Sequence, residues 1–249
     1  AHLMRRPRVA WAALAVLAGA QVRYGMARAE RPPERLVGAT RAIVGLGMAG
    51  AAVEAIEARG RRGLAAVALA GTVGFAVEVL GVATGRPFGH YRYSDRLGPR
   101  VAGVPLLAAA AWALMSRPAW VVAGRITTRG PARVALAAAA LTAWDVFLDP
   151  RMARDGYWIW DRAGRYEGIP ASNYVGWLGT GLVAFAAWPV LDPDPPDARD
   201  DAALATYAWT AAGETFANAA LWRRPVTAAA GALAMGAVTI PALRARVRR

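Results

Sequence analysis

The sequence is dominated by apolar stretches that are long enough to cross a lipid bilayer. A transmembrane helix needs about 20 mainly apolar residues to span roughly 30 Å of hydrocarbon. Such stretches recur along the whole chain, at 8–22, 36–56, 63–84, 101–123, 132–149, 171–191, 202–222 and 225–243. Little remains for a soluble domain. The sequence therefore predicts an all-α fold, a polytopic integral membrane helix bundle of about seven or eight transmembrane helices, with residues 1–249 forming a single transmembrane domain.

The first apolar stretch allows two interpretations. Arg5, Arg6 and Arg8 precede its apolar run from Val9 to Val22, and Ala18-Gly19-Ala20 has the small residues of a signal peptidase site. Cleavage there would leave seven spans. We favour a short first transmembrane helix because many further spans follow, with Met4 as a candidate start residue.

The net charge of the chain is +13, and its basic residues are all arginine. Strong basicity is typical of nucleic-acid-binding domains. These arginines, however, concentrate at the ends of the apolar stretches, where guanidinium groups reach the interface while their stems stay in lipid. No nucleic-acid partner is therefore expected. Both termini are basic, which favours an even number of spans in a multi-pass protein of a cell membrane, expected to be a bacterial plasma membrane.

Residues that would hold a metal or cofactor are scarce. The chain has no cysteine, which excludes disulfides, thiolate metal sites and cysteine nucleophiles. Its two histidines, His2 and His90, lie in no metal-binding pattern, and a di-metal carboxylate site without histidine is not expected. Residues 45–50 match a dinucleotide-binding spacing, but they lie inside an apolar helix and predict close helix packing. No metal and no cofactor is predicted.

Carboxylates inside the predicted spans are the main functional signal. A charge at the bilayer centre costs about 2.5–3.5 kcal/mol, so Glu78, Asp145, Asp149 and Glu214, and less clearly Glu54, are functional candidates. Asp145 and Asp149 are four residues apart and share one helix face. Mutual repulsion and burial favour the protonated form of one of them, which could then donate a proton. The alternative is that these groups pair with arginine or bind backbone at helix ends.

Two loops between spans, residues 85–100 and 151–170, are rich in aromatic side chains. Aromatic faces stabilise cations by about 0.5–2 kcal/mol, so aromatic rings beside an acid could hold a carbocation. For any single ring, the interfacial aromatic belt of membrane proteins is the simpler explanation. A third connection, residues 192–201, is acidic and rich in proline, and it is predicted to be solvated.

Two blocks of sequence carry a family resemblance. The first runs from Glu78 to Tyr93 and continues to Gly103-Val104-Pro105. The second comprises Asp145-Val146-Phe147-Leu148-Asp149-Pro150, Trp158-Ile159-Trp160, Gly164 to Pro170, and Asn173 to Trp177. Over residues 70–190, expected to form the family-like core, the chain resembles the membrane carotenoid-biosynthesis family that includes the CruF-type carotenoid 1,2-hydratases and bisanhydrobacterioruberin hydratase.

The resemblance implies cofactor-free addition of water across the terminal C1–C2 double bond of an acyclic ψ end group, which gives a tertiary alcohol. The expected partners are the lipid bilayer, an acyclic or monocyclic carotenoid, and water. The positions that match the family blocks, and are expected to bind substrate, are His90, Tyr91, Tyr93, Trp158, Trp160, Tyr166, Asn173 and Trp177.

The chemistry of the reaction suggests roles for the carboxylates. An alkene is a weak base, so a strong acid in a dry site must protonate C2, and the cation then forms on tertiary C1, where aromatic faces and a carboxylate can stabilise it. Asp145 or Asp149 is the expected proton donor. Glu78 is expected to position water or to tune the donor.

Two other functions fit the same residues. A carotene cyclase starts from the same protonation, but a neighbouring double bond captures the cation instead of water. A carotenoid-binding or transport protein could also use buried carboxylates, which mark ion pathways in membrane proteins. Hydration adds one oxygen atom to the carotenoid, whereas cyclisation and binding add none.

Overall fold

The computed structural model describes residues 8–248, which form a helix bundle. The N-terminal residues discussed above, Met4, Arg5 and Arg6, lie outside this range. The helices are α1 (Arg8–Glu30), α2 (Val37–Thr84), α3 (Leu106–Ile126), α4 (Gly130–Arg154), α5 (Ala171–Phe185), α6 (Trp188–Leu191), α7 (Asp201–Phe216) and α8 (Pro225–Val247). A π-helix, Ala217–Leu221, continues α7, and three short 3-10 turns lie at Pro33–Leu36, Asp95–Leu97 and Ala198–Asp200.

Six helical segments within the described range are long and apolar enough to cross a membrane. They correspond to α1, α2, α3, α4, α5 with α6, and α8. The segment predicted at 202–222 is helical as α7 and its π-helical continuation, although it is not one of the six. The structure confirms the predicted class, an all-α polytopic membrane bundle.

Helix α2 is a hairpin of two spans and not one long rod. A straight helix of 48 residues would be about 72 Å long at 1.5 Å per residue, far more than a bilayer needs. Gly60 interrupts it with φ 61° and ψ −143°. A methyl group added at Gly47 would lie 3.4 Å from Leu114, and one at Gly71 would lie 3.2 Å from Ala113. Because both halves pack on the same level of α3, the chain reverses at Gly60, as the separate stretches 36–56 and 63–84 predicted.

Helix α3 is central to the bundle. It contacts α2, α4, α7 and α8, and Trp112 and Trp120 on it are fully buried. It begins at Leu106, five residues after the start predicted from hydropathy. The preceding residue, Pro105, has extended backbone and lies in a short strand.

Four short strands join the loops between the helices: β1 (Tyr91–Tyr93), β2 (Arg100–Val101), β3 (Val104–Pro105) and β4 (Trp158–Trp160). Strands β2 and β3 form a small hairpin. Strands β1 and β4 come from the two aromatic loops and pair antiparallel, with Tyr91 opposite Trp160 and Tyr93 opposite Trp158. This pairing holds the two family-like blocks together at one end of the bundle.

The acidic connection at 192–201 is only partly solvated: residues 193–195 are exposed as predicted, whereas two of its aspartates are not. Asp192 and Asp200 are fully buried, and both pair with Arg59 at 2.7 Å. Both also bind the guanidinium of Arg117, which lies within α3 and bonds Glu54 at 2.8 Å. A buried guanidinium needs counter-ions because its desolvation is costly. The acidic segment supplies them by folding into the end of the bundle.

Candidate functional site

Glu78 lies in the second half of α2 and accepts three hydrogen bonds. The Tyr93 hydroxyl donates to it at 2.9 Å, the Trp112 indole donates at 3.0 Å, and the Tyr91 hydroxyl also donates. Alternate residues of a strand point to the same side, so β1 directs Tyr91 and Tyr93 to one carboxylate while Arg92 is exposed. Burial, and next the charge of Glu78, raise the pKa of both tyrosines, which keeps them as donors.

Asp145 and Asp149 form a pair of carboxylates on one face of α4. Both are buried. The amide nitrogen of Asn173, in the first turn of α5, donates to Asp145 at 2.7 Å and to Asp149 at 2.5 Å. The indole of Trp158 on β4 donates to the other oxygen of Asp149 at 2.5 Å. The second oxygen of Asp145 is buried and has no hydrogen-bond partner within the described chain.

Aromatic rings lie between Glu78 and the pair of aspartates, Asp145 and Asp149. Across the β1–β4 pair, the ring centroids of Tyr91 and Trp160 lie 5.0 Å apart, and those of Tyr93 and Trp158 lie 5.8 Å apart. On the helix side, Trp177 stacks on the Trp112 ring at 3.9 Å. The carboxylates are therefore enclosed by the faces and edges of large aromatic rings.

A cavity of about 480 Å³ opens beside these groups. It extends between α1, the first half of α2, α3 and α7, where its walls are largely apolar. Eight of the sequence-predicted site residues line it, namely Glu78, Tyr91, Tyr93, Asp149, Trp158, Trp160, Asn173 and Trp177. Asp145 is not part of the cavity wall and lies behind Asn173.

Two predicted substrate-binding residues do not line this cavity. His90 is exposed, and its ring lies against Gly85. Tyr166 donates from its hydroxyl to the carbonyl oxygen of Val146 at 2.9 Å. This carbonyl is four residues before Pro150, which has no N–H to bond it. With this carbonyl bonded, α4 continues past Pro150 to Arg154, beyond the end of the predicted stretch 132–149.

Residues 39–239 match the family described as "Carotenoid biosynthesis protein". The chain belongs to the carotenoid biosynthesis protein family. It is also 33% identical over 129 residues to a protein of Haloarcula japonica named bisanhydrobacterioruberin hydratase. That match covers 50% of this chain and 43% of the relative, so the chain spans less than half of the relative's length. No solved structure matches the chain.

The buried carboxylates of this carotenoid biosynthesis protein divide into two kinds. Glu54 pairs with Arg117, and Glu214 pairs with Arg151 at 2.5 Å, which is the structural alternative considered from the sequence. Glu78, Asp145 and Asp149 make no ion pair with any residue that the structure describes, and their partners are indole, phenol and amide groups. Within residues 8–248, no three His, Asp or Glu side chains are grouped to hold a metal ion.

Sequence reasoning missed two aromatic residues of the site. Trp112 donates to Glu78, and Trp144 packs edge-on against Trp177 with centroids 6.1 Å apart. Both line the cavity. Trp112 lies in an alanine-rich span outside the family-like blocks. The available signal was its position well inside a span, because a tryptophan of the interfacial belt would be near a helix end.

Proposed function

We propose that this carotenoid biosynthesis protein adds water across the terminal C1–C2 double bond of an acyclic carotenoid ψ end group. One observation carries the proposal: Glu78 and Asp149 line the aromatic end of an apolar cavity, Asp145 lies behind them, and all three are buried without an arginine partner within the described chain. Intramembrane carboxylates of this kind are costly and usually functional. The name of the similar archaeal protein, a hydratase, supports the same reaction class.

Asp149 is the better placed of the two candidate acids. It lines the cavity, whereas Asp145 does not. The Asn173 amide bonds both carboxylates and holds them at fixed positions relative to each other. Two neighbouring carboxylates in a dry site are most stable when they share one proton. In the proposed first step, the Asp149 carboxyl transfers this proton to C2 of the end group, and Asp145 provides the adjacent charge.

The cation formed at C1 would be stabilised by the walls of the site. Tyr91, Trp158 and Trp160 present aromatic rings to the cavity, and each ring face can contribute about 0.5–2 kcal/mol. Three donors hold Glu78, so this carboxylate is suited to remain an anion and to stabilise positive charge. Glu78 is thus proposed to stabilise the cation and orient water, and not to donate the proton.

Water completes the reaction. Its oxygen forms a bond to C1, and the proton that it loses returns to the Asp149 carboxylate. The product is a tertiary alcohol, and the acid is regenerated without a cofactor. The polyene would occupy the apolar part of the cavity, between α1 and α7, and extend from there into lipid. The reaction is thus proposed to occur within a bilayer, that of a bacterial plasma membrane.

Expression of the chain in cells that accumulate lycopene or γ-carotene tests the proposal. Pigments extracted from these cells should include a carotenoid that has gained the mass of one water molecule, and an Asp149→Asn variant should not form it. A product of unchanged mass with a shorter chromophore would indicate a cyclase. Unchanged pigment that co-purifies with the protein would indicate a binding protein.

A further inference from the structure

The cavity has a second polar wall that the proposed acid and cation-stabilising groups do not use. It is formed by Arg151, in the last turn of α4, and Glu214 on α7. Their side chains lie 2.5 Å apart and line the same cavity as Asp149. The two side chains are 22% and 12% exposed, whereas Asp149 is 1% exposed. The pair is therefore more accessible than Asp149, and the cavity wall beside it includes the exposed side chain of Phe216.

A second ion pair lies close to the Arg151–Glu214 pair. Asp155 lies one helical turn after Arg151, and it pairs with Arg28 at 2.5 Å. The Tyr24 hydroxyl donates to Asp155 at 3.4 Å, and Tyr24 itself lines the cavity. Arg28 and Arg151 lie in the last turns of α1 and α4, so this side of the cavity is at an end of the bundle.

Two further features mark this wall as a ligand-contacting region. The Nε of Arg151 is buried and has no hydrogen-bond partner among the described residues, although its side chain lines the cavity. The helix that carries Glu214 continues directly as the π-helix Ala217–Leu221, whose first and last residues line the cavity. π-helices are rare and frequently occur at functional sites.

We propose that the Arg151–Glu214 pair is the entrance through which water reaches the reacting end of the carotenoid. The inference rests on the proposed hydration. Apolar cavities stay dry, and a water molecule needs about two to four polar partners. Arg151 supplies donors and Glu214 supplies acceptors on the wall of a cavity that also reaches Asp149.

The C1 cation can react in two ways, depending on whether water reaches it. With water present, the oxygen bonds to C1 and one proton returns to the carboxylate, which gives the alcohol. Without water, the cation loses a proton to the same carboxylate, and the alkene is formed again. In D2O the acid carries a deuteron, so the second fate leaves deuterium in the recovered carotenoid.

The test uses the purified full chain, supplied with lycopene in D2O. Glu214→Leu removes the ion pair with Arg151. Ala217→Leu leaves that ion pair in place and narrows the cavity beside it. Glu167→Gln is the matched control, because Glu167 pairs with Arg154, is 17% exposed and lies outside the cavity wall. We expect both leucine variants to hydrate roughly tenfold more slowly while deuterium still enters the recovered lycopene. The control should match the unchanged protein.

Two results would contradict the proposal that water enters at the Arg151–Glu214 pair. In one, both leucine variants hydrate at the rate of the unchanged protein. In the other, hydration and deuterium incorporation fall together in both variants, as expected for a damaged site. If hydration is not the reaction of this protein, the unchanged protein will form no alcohol at all. This result is distinguishable from the two above, in which the unchanged protein does form alcohol.

Discussion

The indole nitrogen of Trp112 donates a hydrogen bond of 3.0 Å to Oε1 of Glu78, which joins the central helix α3 to the hairpin α2. This contact depends on close packing one turn earlier in α2. The Trp112 ring lies over Gly74, and a methyl group added there would be 2.1 Å from its Cγ atom. Gly74 thus provides the space in which the indole reaches the carboxylate.

Replacement of Gly74 by alanine should displace Trp112 and weaken the site. Overpacking of this kind costs about 1–3 kcal/mol, and the displaced indole would leave Glu78 with only its tyrosine donors. We expect lower thermal stability in detergent and slower hydration. Gly45→Ala is the control, since nothing lies within 4 Å of a methyl group added at Gly45. Equal effects of the two substitutions would contradict this role of Gly74.

The two aspartates should respond unequally to substitution by asparagine. General acids typically contribute about 10²–10⁴-fold to a rate, so Asp149→Asn should slow hydration by that order. Asp145→Asn should slow it less, because Asp145 does not line the cavity. The rates are measured on purified variants, with melting temperatures to show that each variant is folded. A larger loss in Asp145→Asn than in Asp149→Asn would reverse the assignment.

Tyr166→Phe should affect stability more than hydration. The substitution leaves the partly buried Val146 carbonyl without its partner next to Pro150; about 1–3 kcal/mol is the cost for a fully buried acceptor, and this value is an upper bound here. Tyr166 does not line the cavity, so the hydration rate of the folded variant should be close to that of the unchanged protein. Tyr93→Phe serves as the comparison because it removes a donor to Glu78. A rate lost in Tyr166→Phe but kept in Tyr93→Phe would restore Tyr166 to the site.

Arg117→Met should destabilise the bundle strongly. Its guanidinium binds Glu54, Asp192 and Asp200, and removal of one partner of a buried ion pair costs about 3–5 kcal/mol. Arg199→Met removes an exposed pair with Asp197, for which about 0–1 kcal/mol is typical. The melting temperatures of the two variants in detergent should therefore differ clearly. Similar melting temperatures would show that the acidic connection is not held by Arg117.

The transmembrane architecture could be predicted because the bilayer imposes one length and one composition on every span. Hydropathy alone separated the two halves of α2 on either side of Gly60. Contacts between distant segments could not be predicted in this way. The pairing of β1 with β4, the burial of Asp192 and the extension of α4 past Pro150 each depend on a partner elsewhere in the chain.

For the candidate site, too, features within one helix could be predicted, whereas contacts between helices could not. The spacing of Asp145 and Asp149 placed both on one helix face, and both carboxylates do contact Asn173. Sequence reasoning could not tell which of them faces the cavity, since that depends on how α5 packs against α4. It also did not separate Glu214 from Glu78, because the difference is an arginine on another helix. The functional roles of these residues remain predictions.

The origin of the added oxygen tests the central claim most directly. Purified protein is supplied with lycopene in water labelled with heavy oxygen, under anaerobic conditions, and the product is analysed by mass spectrometry. We predict a tertiary alcohol whose oxygen carries the label, formed without any cofactor and absent with Asp149→Asn. An unlabelled alcohol, or an unoxygenated isomer of the substrate, would contradict hydration as the reaction of this protein.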